Sequence, residues 1–181
     1  MPAEVTMQGV GSVFGDAYIN ITGGAISGSV YGGSQGHAQF YNKINKYGQT
    51  ITHIAEMNGT VNINITGNDE QCPTIGGNIY GGGQGLVSSN GEEYLRIATC
   101  GNTELGEQYK AGVNITIDLP ENVPFAGNIY GGGQLGMLEG DTNILIKRGT
   151  FTGNIFGGGK GEDNHPDKAK VIGTTNVKIG E

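Results

Sequence analysis

The chain has 181 residues, of which 36 are glycine, and a formal net charge of −7. The glycine share is roughly three times the usual value of about 7%, but only 5 prolines and no strict three-residue period exclude collagen. Because lysine and arginine are not clustered and no apolar run nears the roughly 18 residues of a membrane span, we expect no nucleic-acid partner and no membrane insertion.

A glycine-rich phrase recurs along the chain, and an internal repeat outranks other signals because it decides the architecture. Its copies are GSVFGD at Gly11–Asp16, GSVYGGS at Gly28–Ser34, GNIYGGGQ at Gly77–Gln84 and again at Gly127–Gln134, and GNIFGGGK at Gly153–Lys160. Alternating apolar residues predict that each copy is a strand. We expect the inward glycine of each strand to leave room for a bulky side chain from the opposite wall, and the following glycines to form a turn with positive φ.

A second phrase alternates with the first and predicts a further strand in each repeat. Its copies are AYINIT at Ala17–Thr22, VNINIT at Val61–Thr66, VNITID at Val113–Asp118, TNILIK at Thr142–Lys147 and TNVKIG at Thr175–Gly180. Isoleucine and valine recur on one face, and asparagine recurs on the other. This pattern predicts an apolar interior and outward ladders of asparagine.

The two phrases together predict an all-β fold, a right-handed parallel β-helix (β-solenoid) of about five coils forming a single domain over residues 1–181. Stacked coils place like residues over one another, in particular Ile65, Ile117 and Ile146, and the outward rings of Tyr31, Tyr80, Tyr130 and Phe156. Such an aromatic stack is structural or, if exposed, a strip for sugar binding. A repeated antiparallel meander is the alternative, but the hairpin signals Asn58-Gly59 and Asn90-Gly91 lie outside the repeated strands.

Two long insertions, residues 34–60 and 84–112, leave the predicted coil at one corner. They are either lids over the core or a surface for a ligand or partner, since solenoids often carry their insertions on the binding face. The candidate ligand-binding residues, chosen because aromatic rings stack on sugars, are Tyr41, Tyr47, Tyr94 and Tyr109. The insertions also contain carboxylates for which a solvated loop is the default: Glu92, Glu93, Glu104 and Glu107.

No motif in the sequence predicts a catalytic site, a metal site or a cofactor site. Polysaccharide lyases and hydrolases need carboxylates on adjacent coils, and the repeated strands carry mainly asparagine, threonine and tyrosine. His37, His53 and His165 share no metal-ligand spacing, and one loose calcium-type nonapeptide at Gly158–His165 lacks the neighbouring copies that such sites need. Cys72 and Cys100 are compatible with a disulfide and, equally, with two free thiols.

The repeats resemble the glycine-rich β-helix repeats of large bacterial surface and secreted proteins of the adhesin or autotransporter type. The resemblance rests on GNIYGGG followed by a TNVxI-type strand and covers over half of the chain. Together with the missing catalytic cluster, it implies a non-enzymatic extracellular or cell-surface scaffold whose insertions bind a glycan or a host or cell-surface protein. Solenoid ends without obvious polar caps predict a fragment of a longer repeat protein, and such open ends can associate end to end. The alternative is a carbohydrate-active β-helix enzyme or a glycan-binding domain, while an ice-binding solenoid is disfavoured because Asp118 and Lys147 interrupt the threonine ladder.

Overall fold

The computed structural model describes residues 11–39, 41, 43, 44, 48, 50–86, 96–165 and 167–180. Within these residues the fold is all-β, as expected, with parallel sheets and only two short 3-10 turns, Thr103–Leu105 and Glu107–Tyr109. No helix in this part of the chain has the length and apolar character needed to cross a membrane. The strands are β1 (Ala17–Ile21), β2 (Ala25–Ile26), β3 (Val30–Tyr31), β4 (Thr60–Thr66), β5 (Thr74–Ile75), β6 (Ile79–Tyr80), β7 (Ala111–Asp118), β8 (Ile129–Tyr130), β9 (Gly140–Arg148), β10 (Ile155–Phe156) and β11 (Thr175–Ile179).

The largest sheet, sheet A, contains β1, β4, β7, β9 and β11 in that order, all parallel. Its strands pair like on like: Ile65 is in register with Ile117, and Ile117 with Ile146. The predicted stacking of these isoleucines is therefore confirmed, and the antiparallel meander is wrong. Successive strands lie 44, 52, 29 and 33 residues apart in the chain. The register is held despite these unequal lengths because a one-residue slip would turn every apolar side chain to the outer face.

Asparagine ladders run along the outer face of sheet A, as predicted. The Nδ2 group of Asn114 donates to Oδ1 of Asn62 at 3.1 Å, that of Asn143 donates to Asn114 at 3.2 Å, and that of Asn176 donates to Asn143 at 3.0 Å. Each amide thus donates to the preceding strand, so the ladder has one direction along the stack. These bonds use side-chain groups that would otherwise compete with the backbone for partners.

Sheet B contains β3, β6, β8 and β10, and it carries the aromatic stack. Neighbouring rings have centroids 4.9, 5.0 and 5.0 Å apart and lie nearly parallel, in the order Tyr31, Tyr80, Tyr130, Phe156. Tyr80 is only 2% exposed and Tyr130 is buried, so the two middle rings are not part of an exposed strip for sugars, whereas Phe156 at the end of the stack is exposed. β2 and β5 form a third small parallel sheet, sheet C.

A fourth line of pairing, here called the bridge column, was not predicted. Single parallel bridges connect, in order along the stack, Val13, Met57, Cys100, Leu138 and Val171. The GSVFGD segment therefore pairs with residue 57 and is not a copy of the sheet B phrase. A left-handed residue precedes four of these positions by two residues, with φ of 70° at Gly11 and φ near 56° at Ala55, Ala98 and Ala169. This conformation is uncommon for alanine, and its recurrence marks the bend that leads into each bridge.

The Gly-Gly-Gly phrases are explained by close backbone approach. None of residues 81–83 or 131–133 has a positive φ, contrary to the prediction. A Cβ atom on Gly82 would lie 2.7 Å from the backbone nitrogen of Gly133, in the next repeat. The inward glycine Gly77 behaves similarly, because a Cβ atom there would lie 2.6 Å from the carbonyl carbon of Gly28. At Gly77 the room is thus required by neighbouring backbone and not, as expected, by a side chain of the opposite wall. It is the first glycine of the triplet that faces such a side chain, because a Cβ atom on Gly81 would lie 2.3 Å from Cγ1 of Val113 in sheet A.

Side chains from the three sheets and the bridge column pack into one apolar core. Sheet A contributes Ile63, Ile115 and Ile144, and the bridge column contributes Leu138, all at most 2% exposed. Each such side chain stabilises the fold by about 1.5–3 kcal/mol before its entropy loss is counted. The bridge column is the wall on which the insertions lie, and it positions the polar site described next.

Candidate functional site

The two predicted insertions pack on each other in a small apolar cluster, here called the insertion cluster. It consists of Ile51, Ile54, Ala55, Ile97 and Ala98, with Ala38, Tyr41 and Leu86 at its edge. Ile54 of the first insertion and Ile97 of the second also form a parallel bridge. The ends of both insertions therefore continue the parallel pairing beside the bridge column.

The structure separates two of the predicted ligand-binding tyrosines. Tyr41 is half-buried at the edge of the insertion cluster. Tyr109 belongs to the second 3-10 turn and is not a member of that cluster. Tyr47 and Tyr94 lie outside the described residues, as do the carboxylates Glu92 and Glu93.

A buried polar cluster beside the bridge column was missed by the sequence reasoning. Its centre is Glu56, 3% exposed, whose Oε1 atom lies 2.7 Å from Nδ1 of His53, within hydrogen-bond distance. Both carboxylate oxygens of Glu56 also accept from Nδ2 of Asn102 at 3.2 Å. The Nε atom of Arg96 lies 3.2 Å from the same Nδ1 atom, so the imidazole lies between a carboxylate and a guanidinium group. Nε2 lies 3.9 Å from Oε2 of Glu104, a carboxylate that is 67% exposed.

Arg96 links this centre to the next repeat. Its Nη1 atom donates to Oε1 of Glu139 at 2.5 Å, and its Nε atom lies 3.8 Å from Oε1 of Glu56. Oε2 of Glu139 accepts two further bonds of 2.6 Å, from the backbone N–H and the hydroxyl of Thr103. Buried charges are tolerated when each is paired and hydrogen-bonded in this way.

The bonds to Glu139 decide its protonation state. Burial raises the pKa of its carboxyl, but the hydrogen bonds from Arg96 and Thr103 and the charge of Arg96 outweigh burial, so the pKa lies below its ordinary value. Glu139 is therefore ionised at neutral pH. It acts as the anchor for Arg96 and for the first 3-10 turn.

Both cysteines are free thiols, so the disulfide is not formed. Cys100 is buried in the bridge column between Met57 and Leu138. Burial raises the pKa of its thiol to about 12, although a backbone hydrogen bond from Gly83 acts in the opposite direction. Cys72 is half-buried, follows β4 and lies close to Gly67. Burial also raises the pKa of the Cys72 thiol, but Cys72 is partly exposed and Cys100 is not, so only Cys72 is accessible to a reagent in solution.

The described residues contain no group of three or more histidine, cysteine, aspartate and glutamate side chains arranged to hold a metal ion. The carboxylates of the polar cluster face Arg96 and Asn102, which are donors and would repel a cation or compete with it. No family model, no curated protein and no solved structure matches this chain.

One sequence signal marks the position of the polar cluster. The segments IAEM (residues 54–57) and IATC (97–100) share an apolar residue, the left-handed alanine and the bridge residue at equal spacing. Aligning them places Glu56 beside Thr99, which the structure confirms, because the backbone N–H of Met57 donates to the carbonyl of Thr99 at 2.9 Å. The signal is only four residues long and is hidden in segments that looked like irregular insertions.

Proposed function

We propose that this chain is a non-enzymatic scaffold segment of a bacterial cell-surface or secreted protein of the adhesin type, and that its insertions bind a glycan or a cell-surface protein. The observation that carries the proposal is the like-on-like register of sheet A over five strands. A stack of this kind makes a stiff, extendable body, because each repeat contacts mainly its neighbours.

The proposal includes a right-handed parallel β-solenoid of about five coils. Its support is the sequence of walls in each repeat: the bridge column, sheet A, sheet C or the equivalent Phe125–Phe151 bridge, and then sheet B. One core that all four walls enclose fits a chain wound round a single axis. A right-handed crossover is the strong preference for parallel strands.

End-to-end association of two such bodies belongs to the same proposal. The last strand, β11, is exposed along its full length, including Val177 and, at 68%, Ile179. An open parallel edge with apolar side chains is a template for another strand. The one-way asparagine ladder favours addition at this edge, because Oδ1 of Asn176 can accept where each earlier amide oxygen already does.

Surface labelling tests the scaffold role. We expect antibodies raised against this chain to label intact cells of the organism that makes it, and we expect the purified chain to bind a glycan array or whole cells without cleaving polysaccharides. Labelling that needs permeabilised cells would overturn the cell-surface role. A secreted form is distinguished by finding the protein in the culture medium.

A carbohydrate-active enzyme is the second candidate, and the polar cluster is the observation that favours it. His53 lies between a buried carboxylate, Glu56, and an exposed one, Glu104, which is an arrangement suited to moving a proton. If this function holds, release of reducing ends from polysaccharides is expected and should fall by about 100-fold or more in Glu104→Gln. The variant Glu107→Gln, on the adjacent exposed turn, is the control and should keep full activity.

A further inference from the structure

The third repeat contains additional residues that cover the polar cluster. Three residues lie between Met57 and Val61, between Leu138 and Thr142 and between Val171 and Thr175, whereas twelve lie between Cys100 and Val113. The additional nine residues, 102–110, form the two 3-10 turns and are here called the lid. The lid begins over the centre of the cluster, because Asn102 donates to both oxygens of Glu56.

Beneath the lid lies a floor of polar side chains. Glu56 and Asn58 flank Met57, and Thr99 flanks Cys100; both bridge residues point into the apolar core. Side chains alternate in direction along an extended chain, so the flanking residues face away from the core, on the side where Glu56 meets Asn102 of the lid. All three are buried nevertheless, and Thr99 is 0% exposed.

Several buried polar atoms of the floor, the lid and Arg96 have no hydrogen-bond partner in the protein. They are Nδ2 and Oδ1 of Asn58, Oγ1 of Thr99, Oδ1 of Asn102 and Nη2 of Arg96. Buried polar groups are almost always satisfied, so a concentration of unsatisfied ones calls for a bound group. We propose that the floor and the lid form a binding site for one ring of a neutral sugar, with these atoms as its hydrogen-bonding partners.

The chemistry of the atoms selects a hydroxylated ligand. The unpartnered set contains amide and guanidinium donors, amide acceptors and a hydroxyl that does both. The carboxylates nearby already have hydrogen-bond partners in the protein, Glu139 in Arg96 and Thr103, and Glu56 in Asn102. An anionic ligand would meet three carboxylates and a chain of net charge −7. Sugar hydroxyls, which donate and accept without charge, match the set.

The lid is built to open. None of its residues in the two 3-10 turns is buried, and its ends are anchored through Glu139, which holds Thr103 by its carboxylate and Ala111 by its carbonyl. Gly101 has a φ of 83° just before the lid, and Gly106, with a φ of 131°, separates its two turns. Glycines in these conformations are suited to absorb a change in backbone direction. The backbone carbonyl of Tyr109, at the far end of the lid, accepts a hydrogen bond from the N–H of Asn102 at 3.0 Å.

The proposal rests on the glycan recognition proposed above and names the place where it occurs. We would first screen the wild-type chain on an array of neutral glycans, and then measure saturation-transfer NMR and calorimetry with methyl glucoside, methyl galactoside and N-acetylglucosamine. The decisive variant is Thr99→Val, which removes a hydroxyl that has no partner in the protein and keeps the side-chain shape. We expect its thermal midpoint to equal or exceed that of the wild type, and its sugar affinity to fall about tenfold.

Two further variants make the result specific. Thr99→Ser keeps the hydroxyl and should keep binding, while Thr116→Val, on the outer face of sheet A, removes a hydroxyl elsewhere and should have no effect. If neutral glycans bind Thr99→Val as well as they bind the wild type, the site proposed here is wrong, and only water occupies the floor. Glycan recognition by another part of the chain would then still stand. If no neutral glycan binds the wild type, this inference is overturned, whereas cell-surface labelling still tests the scaffold role separately.

Discussion

The glycine columns provide a sharp test of how the repeats pack. Gly82, Gly132 and Gly158 occupy equivalent positions in sheet B turns of successive repeats. A Cβ atom on Gly82 would lie 2.7 Å from the nitrogen and 2.9 Å from the Cα atom of Gly133, both fixed backbone atoms. At Gly158 an added Cβ atom would meet nothing within 4 Å. The same substitution therefore forces two repeats apart at one position and fills open space at the other.

The magnitudes follow from this difference. Overpacking costs about 1–3 kcal/mol, and a backbone contact cannot be relieved by a change of rotamer. Where alanine fits, replacing glycine stabilises a protein by about 0.4–1 kcal/mol because the unfolded chain loses entropy. The free energy of unfolding of Gly82→Ala should thus be lower than that of Gly158→Ala by about 1.5–4 kcal/mol. For a chain of this length, the melting temperatures should differ by at least about 3 °C.

Urea denaturation followed by far-ultraviolet circular dichroism, with calorimetry as a second measurement, compares the variants. A second pair repeats the test in the opposite direction along the stack: Gly77→Ala meets the carbonyl of Gly28, whereas Gly28→Ala meets nothing within 4 Å. Equal stability of Gly82→Ala and Gly158→Ala would refute the close approach of repeats two and three in sheet B.

Three other predictions concern thiols, acid and self-association. Native protein at pH 8 should react with a thiol reagent at Cys72 only, since Cys100 is buried and its thiol pKa is raised to about 12. The variant Cys72→Ser should therefore not react until urea unfolds it. Labelling of Cys100 in the folded state would contradict its burial. The lowered pKa of Glu139 stabilises the folded state above the ordinary pKa of a glutamate, and this stabilisation is lost as the pH falls through the lower folded value. Glu139→Gln should therefore lower the free energy of unfolding by about 1–3 kcal/mol at pH 7, and by less in acid. A difference that does not depend on pH would refute the ionised state of Glu139. Sedimentation velocity should show that the wild-type chain associates more at higher concentration. Ile179→Lys should weaken this association and leave the chain folded, because the Ile179 side chain on β11 is largely exposed. A wild type that stays monomeric at all concentrations would remove end-to-end association from the proposal.

The strands of sheet A were predictable because three signals agree there. Val61, Ile63 and Ile65 alternate with polar residues, the same phrase recurs in each repeat, and like residues pack well over like. The bridge column was not predictable by the same means, since one paired residue per repeat has no periodicity. Met57 and Cys100 are apolar but chemically unlike, so they do not read as copies of one position.

The glycines show a different kind of failure. Their abundance indicated close packing, but whether a glycine serves a positive φ or a close neighbour depends on the adjacent repeat. Gly85 has a φ of 69°, whereas Gly82, three residues earlier, does not have a positive φ and instead faces the backbone of Gly133. A single sequence contains no information on that distance until the register of the repeats is known.

The candidate site was hidden because its members come from three repeats and have different chemical types. Glu56, Arg96 and Glu139 are each separated by about 40 residues, and nothing in their local sequence relates them. Carboxylates such as Glu104 were interpreted as solvated, which holds for most of its surface but not for its approach to His53 and Arg96.

Departure from the repeat is itself an argument for function at this place. Positions inside the core, such as Ile63, Ile115 and Ile144, repeat because each must pack on its copy. The outward position next to the bridge column instead changes at every step, from Ser12 to Glu56, Thr99, Met137 and Lys170. It is also the position over which the third repeat adds its nine residues. A buried polar network contributes little to stability compared with an apolar one of the same volume, and an unsatisfied network is unfavourable. Stacking explains the repeated positions, but it does not explain why polar side chains were placed and covered here, whereas recognition of a polar ligand does.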